Sequence, residues 1–198
     1  WYLPIPTERG WYYYSRSHES AASIRRAEDL GTGLSNSEEI VRGSLTDGYS
    51  FDVTGDGGTI LFAATLPDPG HPAGLSSFSE LYRHDVATGE TARLTRGARI
   101  WQPAISRDGR RAIAVERTGS YSRLIAVDIR SGGRRTLYEA PGAVIKYPAF
   151  SPDGDRLVFV RNVRGEQDLI LAEVAPAVHI PAEGDGADGP TWALGRVE

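Results

Sequence analysis

The fold is decided by residues 148–161, which read PAFSPDGDRLVFVR. Residues 103–116, PAISRDGRRAIAVE, align with this stretch without a gap, and residues 51–64, FDVTGDGGTILFAA, fall in the same frame. A fainter copy lies at residues 4–17, PIPTERGWYYYSRS. Self-similarity of this kind indicates a repeat protein, because each copy of the pattern folds into the same small unit.

The turn aspartates set the length of the repeat. Asp108 follows Asp56 after 52 residues, and Asp153 follows Asp108 after 45 residues. The first copy has Arg9 at the corresponding position. Periods of about 40 to 50 residues are typical of propeller blades and of helical solenoids. Both architectures fit the spacing, so the residues around each turn have to distinguish them.

Each turn is followed by runs of β-branched and aromatic residues. An Asp-Gly pair flanked by apolar alternation is a strong hairpin signal, because glycine supplies the positive φ that such turns need. The second run of the four copies lies at residues 11–15, 59–63, 112–115 and 157–160. The third run lies at residues 23–28, 80–86, 123–129 and 168–174. The fourth run lies at residues 39–41, 92–94, 135–137 and 178–180. No segment sustains a helical period with caps. Each copy is therefore predicted to form a four-stranded antiparallel meander, and the chain an all-β protein of the β-propeller class.

The blade boundaries follow from the repeat. The predicted blades are residues 1–48, 49–101, 102–147 and 148–189, and residues 190–198 begin a further blade or supply a closing strand. Four blades leave three alternatives open: a four-bladed ring, a partial propeller completed by other residues or by a partner, and a longer chain recorded incompletely. Because the sequence has no methionine and starts at Trp1, we expect a processed product or a piece of something longer.

One repeat also resembles a known family. Residues 148–174 carry Pro-x-Phe-Ser-Pro-Asp-Gly, then Leu-x-Phe, then Asp-Leu-x-x-x-x-Val, and residues 81–95 match the second half of the same unit. This pattern resembles the WD-repeat-like blade of TolB-type propellers. Such blades occur in a periplasmic component of the Tol-Pal system, in propeller domains of serine peptidases and in exported proteins. The resemblance implies a propeller fold and a periplasmic or otherwise extracytoplasmic location, but propellers host binding and catalysis alike.

Composition excludes several function classes. The net charge is −4, so electrostatics provides no general attraction to nucleic acid, and no nucleic-acid partner is expected. The absence of cysteine excludes disulfides, thiolate metal sites and cysteine nucleophiles. No apolar run approaches the roughly 20 residues that span a bilayer. Membrane association is therefore expected only through partners or through segments outside this sequence.

No motif for catalysis, metal binding or a cofactor emerges. The four histidines, His18, His71, His84 and His179, lack metal-ligand spacing, and no Gly-x-Ser-x-Gly elbow occurs. The acidic stretch at residues 184–189, GDGADG, lacks the closing glutamate of a calcium loop. We predict no catalytic residue, no metal and no cofactor.

Loop lengths indicate which surface binds a partner. In an up-and-down meander, the loop between strands two and three shares a face with the connections between blades. Nine extra residues lie in this loop of blade 2, within residues 66–77, and insertions on one face of a repeat protein often form its binding surface. The candidate partner-binding face consists of Pro67, His71, Arg99, Trp101, Lys146 and Tyr147. Arginine and large aromatic side chains dominate interface energetics. The alternative is that Trp101 and Tyr147 pack between adjacent blades.

These observations favour a non-catalytic role. The leading hypothesis is a protein-binding or scaffold propeller, acting as an extrinsic subunit or module of a larger, extracytoplasmic complex. The first alternative is the propeller domain of a serine peptidase or similar hydrolase whose catalytic domain lies outside these residues. The second alternative is a propeller that binds a small ligand or a glycan in its central channel.

Overall fold

The computed structural model describes residues 2–16, 21–43, 45–46, 49–65, 78–176 and 192–197. In this part of the chain there are strands and turns and no helix. The strands form four antiparallel sheets of four strands each, and in every sheet the strand order follows the chain. The prediction of an all-β propeller with four-stranded blades is therefore confirmed. None of the described segments is a helix of the length and hydrophobicity needed to cross a membrane.

The chain divides into two compact units, Trp1–Trp101 and Gln102–Glu198. Blade 1 of the first unit contains β1 (Tyr2–Thr7), β2 (Gly10–Ser15), β3 (Ser23–Ala27) and β4 (Glu38–Arg42). Blade 2 contains β5 (Phe51–Val53), β6 (Thr59–Ala64), β7 (Glu80–Asp85) and β8 (Thr91–Arg93). Side chains from both blades form one apolar core that includes Tyr12, Ile24, Phe51, Ile60 and Phe62. The rings of Phe62 and Tyr82 stack with their centroids 5.4 Å apart.

The second unit has the same plan. Blade 3 contains β9 (Ile100–Ile105), β10 (Ala112–Thr118), β11 (Tyr121–Val127) and β12 (Arg134–Tyr138). Blade 4 contains β13 (Ala143–Phe150), β14 (Arg156–Val163), β15 (Glu166–Pro176) and β16 (Trp192–Val197). The first strand of blade 4, β13, lies against β10 and β11 of blade 3. The ring of Tyr138 contacts that of Phe159 across the two blades, with centroids 4.9 Å apart.

Residues 192–197 form the fourth strand of the blade 4 sheet. Residues 178–180, predicted as the fourth strand, lie outside the described residues. The fourth position is occupied by β16, which pairs with β15 through Ala175↔Ala193 and Pro176↔Trp192. The sequence predicts that residues 190–198 begin a further blade or supply a closing strand. Within the described residues, the strand at 192–197 pairs with β15 alone.

One hydrogen-bonding pattern recurs in the first turn of blades 2, 3 and 4. The hydroxyls of Thr54, Ser106 and Ser151 donate to the carboxylate of the aspartate two residues later, at 2.5, 2.7 and 2.5 Å. That carboxylate also accepts the backbone N–H two residues further on. The glycine after each aspartate has a φ of 69 to 78°, a conformation that glycine adopts without steric cost. The repeated Ser/Thr-x-Asp-Gly sequence therefore fixes the turn through its own side chains.

Candidate partner-binding surfaces

The structure describes four of the six residues predicted to bind a partner. Pro67 and His71 lie outside the described residues. Arg99 is exposed, and its guanidinium carbon lies 4.3 Å from the centroid of the Phe78 ring. This cation–π contact fixes the direction of the arginine while leaving its donors accessible. Arg99 belongs to the first unit, together with the partly buried Trp101.

Three of these candidates lie inside first strands, where the sequence predicted connections. Trp101 is in β9, and Lys146 and Tyr147 are in β13. The strand continues through the proline that marks the start of the repeat, because a bulge between Lys146 and Ala149 absorbs the irregularity. Proline donates no hydrogen bond and is tolerated at bulges and edge strands. Lys146 and Tyr147 therefore lie along the edge of blade 4, in the second unit.

Tyr147 is held in an unusual backbone conformation. Its φ is 53°, its side chain is half exposed, and its N–H donates a 2.9 Å hydrogen bond to Oε1 of Gln102. Gln102 occupies the same position of blade 3, is buried and has a φ of 48°. A positive φ is uncommon for residues other than glycine, asparagine and aspartate. The buried amide of Gln102 thus links two edge strands and holds the backbone of Tyr147.

A second surface is the outward face of blade 4. Leu169 is 72% exposed and Leu171 is 40% exposed, although both belong to a central strand of the sheet, β15. They lie opposite Val160 and Val158 of β14, which are only partly buried. We call these four side chains the open face. Exposed aliphatic side chains on neighbouring strands form a continuous apolar patch, the kind of surface that marks interaction sites.

Blade 3 shows what covers this face elsewhere in the chain. The repeat of 45 residues places Leu124 where blade 4 has Leu169, and Ala126 where blade 4 has Leu171. Leu124 and Ala126 are fully buried, because β13 of the next blade lies against β10 and β11. The open face of blade 4 is therefore the counterpart of a surface that, one repeat earlier, is an interface between blades.

A polar contact accompanies the apolar one at both described junctions between successive blades within a unit. Tyr12 donates from its hydroxyl to the carbonyl oxygen of Gly57 at 2.9 Å, and Nη1 of Arg111 donates to the carbonyl oxygen of Gly154 at 2.6 Å. Both donors stand two residues after the turn glycine of their own blade, and both acceptors are the turn glycine of the next blade. In blade 4, the residue two positions after the turn glycine is Arg156, which is exposed beside the open face.

Sequence reasoning missed the open face. Leucine and valine on both sides of β14 and β15 predict a strand that is buried on both faces, as in any internal blade. Exposure of one face depends on which blade comes next, and no local pattern carries that information. The alternation of Leu169, Ile170, Leu171 and Ala172 gives β15 two apolar faces, of which Ile170 and Ala172 form the buried one.

The described residues hold no group of three or more histidine, aspartate or glutamate side chains placed to bind a metal ion. His84 is buried, and its Nδ1 lies 2.8 Å from the hydroxyl of Thr91. Burial lowers the pKa of His84, against the opposing charge of Asp85. The other three histidines lie outside the described residues. His84 is therefore placed as a polar group that links β7 to β8, in line with a structural role.

The fold has clear counterparts among solved structures. TolB from Acinetobacter baumannii superimposes with a TM-score of 0.67 at 21% identity, over 86% of this chain and 40% of that chain. The fold is that of a TolB-like β-propeller. A puromycin-hydrolysing peptidase from Mycobacterium tuberculosis gives a TM-score of 0.60 at 15% identity, over 100% of this chain and 31% of that one. A chain of a nidogen/laminin complex gives 0.56 at 11% identity, over 82% and 57%.

These similarities concern architecture. At such identities the likeness extends to the fold, and this chain spans less than two thirds of each of these three structures. No protein-family model matches the sequence, and no curated protein sequence matches it. The binding or catalytic role of this propeller therefore has to be argued from its own surfaces.

Proposed function

We propose that this chain is a non-catalytic protein-binding propeller module that works as part of a larger, extracytoplasmic assembly. The observation that carries the proposal is the open face of blade 4, with Leu169 at 72% exposure in the middle of a sheet. An aliphatic side chain at such a position gains about 1.5–3 kcal/mol when it is transferred fully from water into an apolar contact. A face with several such side chains is stabilised by a partner that covers it.

The location of the assembly rests on the resemblance of the repeat to TolB-type blades. That resemblance is strongest at residues 148–174, the part of the sequence that also forms the open face. The half-exposed Tyr147 and the exposed Arg99 are further candidate anchors, the first held at its backbone N–H by Gln102 and the second at its guanidinium by Phe78. Preorganised aromatic and arginine side chains lose little freedom on binding, which favours affinity.

Site-specific crosslinking tests the proposal. A photoreactive phenylalanine analogue at position 169 should give a discrete covalent adduct in the native extract. The same analogue at position 121 provides the matched control, because Tyr121 is also 51% exposed but lies outside the open face. The adduct at position 169 should disappear in the Leu171→Asp background, since a carboxylate on the patch opposes apolar contact.

Two outcomes would count against this function. Equal adducts from positions 169 and 121 would indicate nonspecific collision, and no adduct at position 169 would leave the open face without a partner. Because the sequence contains no cysteine, a single introduced cysteine at position 169 gives a second readout. Its alkylation should slow when the partner is present, while that of a cysteine at position 121 should not.

A second candidate function is the propeller domain of a serine peptidase or a related hydrolase. It is favoured by the superposition on a puromycin-hydrolysing peptidase and on a prolyl endopeptidase, with TM-scores of 0.60 each, over 31% and 28% of those chains. This candidate predicts that the complete reading frame continues into a catalytic domain with a Gly-x-Ser-x-Gly elbow. Sequencing the full gene checks it, and a gene without such a domain removes this candidate.

A further inference from the structure

We propose that three exposed arginines at one end of blade 3 bind an acidic segment of a partner protein. They are Arg107 and Arg110, in the turn between β9 and β10, and Arg130, in the turn between β11 and β12. We call these three side chains the arginine surface. The inference rests on the proposed function, because it gives the chemistry of a partner, but the arginine surface shares no residue with the open face.

The two turns lie side by side at the same end of the blade 3 sheet. Strands β10 and β11 pair through Ala112↔Val127, the pair closest to both turns, and neighbouring strands are about 5 Å apart. Arg110 precedes this pair by two residues and Arg130 follows it by three residues. The arginines therefore extend from adjacent turns, within the span of one short peptide segment.

Little of the charge of the arginine surface is compensated within the chain. The side chain of Arg110 is 84% exposed, and its Nε lies 3.7 Å from Oδ2 of Asp108, whose side chain is 52% exposed. An exposed pair at this distance contributes little to stability. Arg107 and Arg130 are also exposed, and within the described residues neither makes a salt bridge. These guanidinium groups remain available to an anionic partner.

The aspartates of the two turns hold the backbone beneath the arginines. Oδ1 of Asp108 accepts the N–H of Arg110, and Oδ1 of Asp128 accepts those of Arg130 and Ser131. Both turns are therefore fixed by their own hydrogen bonds. A preorganised backbone reduces the ordering cost that a partner has to offset on binding.

The equivalent turn of blade 2 shows that Arg130 is not needed for folding. The N–H of Ala87 donates to Oδ1 of Asp85 at 3.0 Å, as the N–H of Arg130 donates to Oδ1 of Asp128 at 2.9 Å. The turn is the same and the side chain is a methyl group. The guanidinium group of Arg130 therefore serves something other than the turn.

The first turn leads to the same conclusion for the other two arginines. Gly58 of blade 2 and Asp155 of blade 4 occupy the position of Arg110, and each donates its N–H to the turn aspartate. Arg107 corresponds to a glycine in blade 2 and to a proline in blade 4. Blade 3 has eight arginines, against four in blade 2 and three in blade 4, so a general preference for arginine does not account for the cluster.

The chemistry of the surface favours spaced carboxylates over other anions. The planar guanidinium group matches a carboxylate through two parallel hydrogen bonds. Neither turn contains an aromatic side chain on which a base could stack, and the chain has a net charge of −4, so nucleic acid is disfavoured. Anionic membranes recruit larger basic clusters, of about four to eight residues.

Blade 4 limits where such a segment can lie. Asp153 lines the same small cavity as Arg107, at the junction of blades 3 and 4. Asp155, three-quarters exposed, lies 3.7 Å from Nη1 of Arg111. These carboxylates repel an acidic segment, so they confine it to the two turns of blade 3.

Fluorescence anisotropy with a labelled polyglutamate peptide tests the inference. The peptide should bind the full chain, and more weakly as the salt concentration rises from about 20 to 150 mM. Arg130→Ala, which copies blade 2, should weaken binding about two- to fivefold, the range for one exposed ion pair. Charge reversal of all three arginines to glutamate should weaken it about tenfold or more.

Arg164→Glu is the matched control for Arg130→Glu, because it makes the same charge change at an exposed turn, the one between β14 and β15. It should alter the affinity less than about twofold, whereas Arg130→Glu should reduce it about fivefold. An NMR titration locates the contact independently. The amide signals of Arg110 and Arg130 should shift with added peptide, and that of Gly165 should not.

Three results would overturn the inference: no binding of polyglutamate, equal binding by all variants, and tighter binding of a single-stranded oligonucleotide or of phosphatidylglycerol vesicles than of polyglutamate. The test is separate from that of the proposed function. If the arginine surface fails while position 169 still crosslinks specifically to another protein, only this inference fails. If polyglutamate binds as expected while position 169 gives no adduct, the open face is not the binding surface of the module.

Discussion

Glu116 and Arg161 occupy the same position of successive blades and carry opposite charges. Glu116 is buried on β10 and binds Arg123 across the strand pair at 2.6 Å, with Arg134 at 2.6 Å on its other oxygen. Arg161 on β14 binds Asp168, the residue aligned with Arg123, at 2.6 Å. Both blades therefore have a cross-strand ion pair at the same place. In blade 3 the acidic residue is on the second strand, whereas in blade 4 it is on the third strand.

Exchanging the charges of the pair in blade 3 tests this equivalence. Glu116→Arg places a third guanidinium group at a buried site and should lower the free energy of unfolding by about 2–4 kcal/mol. Adding Arg123→Asp recreates the polarity of blade 4 and should recover about 1–2 kcal/mol, a coupling typical of contacting residues. Urea denaturation followed by circular dichroism measures both. Glu38→Arg, at the 60% exposed carboxylate that pairs with Arg26, should change the stability by less than about 1 kcal/mol.

The hydrogen bond between Tyr12 and Gly57 should contribute measurably to the first unit. Tyr12 is fully buried, so Tyr12→Phe leaves the carbonyl oxygen of Gly57 without this donor. We expect a loss of about 1–2 kcal/mol in the free energy of unfolding, the usual cost of an unpaired buried polar group. Tyr121→Phe, at a half-exposed position, should be neutral. Equal effects of both substitutions would mean that the bond between blades does not form in solution.

The architecture could be predicted from sequence because the turn chemistry is local. Thr54, Ser106 and Ser151 each bond to an aspartate and to backbone atoms within five residues, so the motif alone determines the turn. Alternation after the turn then places β6, β10 and β14. The open face could not be predicted in this way. Whether Leu169 is exposed depends on a neighbouring blade, and the positive φ of Tyr147 depends on an amide 45 residues away.

The turn of blade 2 predicts a specific pH response. The hydroxyl of Thr54 holds the pKa of Asp56 below its usual range, with help from the N–H of Gly58. The pKa of Asp56 is lower in the folded state than in the unfolded state. The ionised carboxylate therefore contributes fully to stability above the ordinary pKa of aspartate, and this contribution is lost as the pH falls through the pKa of the folded state. Thr54→Val should raise the pKa of Asp56 in a carboxyl carbon NMR titration. Thr59→Val keeps the backbone N–H that donates to Thr54 and should leave the pKa of Asp56 unchanged.

His84 predicts a response in a higher pH range. Burial lowers its pKa, so the folded state favours the neutral ring that lies 2.8 Å from the hydroxyl of Thr91. The associated stability is complete above the ordinary histidine pKa of about 6.5 and decreases as the pH falls below it towards the folded value. The melting temperature should therefore fall between pH 7 and 5, and His84→Gln should flatten that fall. An unchanged slope in the variant would show that another group titrates.

The paired leucines of blades 3 and 4 give the most direct measure of the open face. Leu124→Ala removes a fully buried side chain and should cost about 2–5 kcal/mol, because it leaves a cavity between blades. Leu169→Ala alters the equivalent position, which is 72% exposed, and should stay within about 0.5 kcal/mol in dilute solution. Denaturation at low and at high protein concentration distinguishes an open face that is free from one that is covered by association. A cost at Leu169 that grows with concentration indicates that association covers this leucine, whereas a cost of several kcal/mol at every concentration would mean that it is already covered within the monomer.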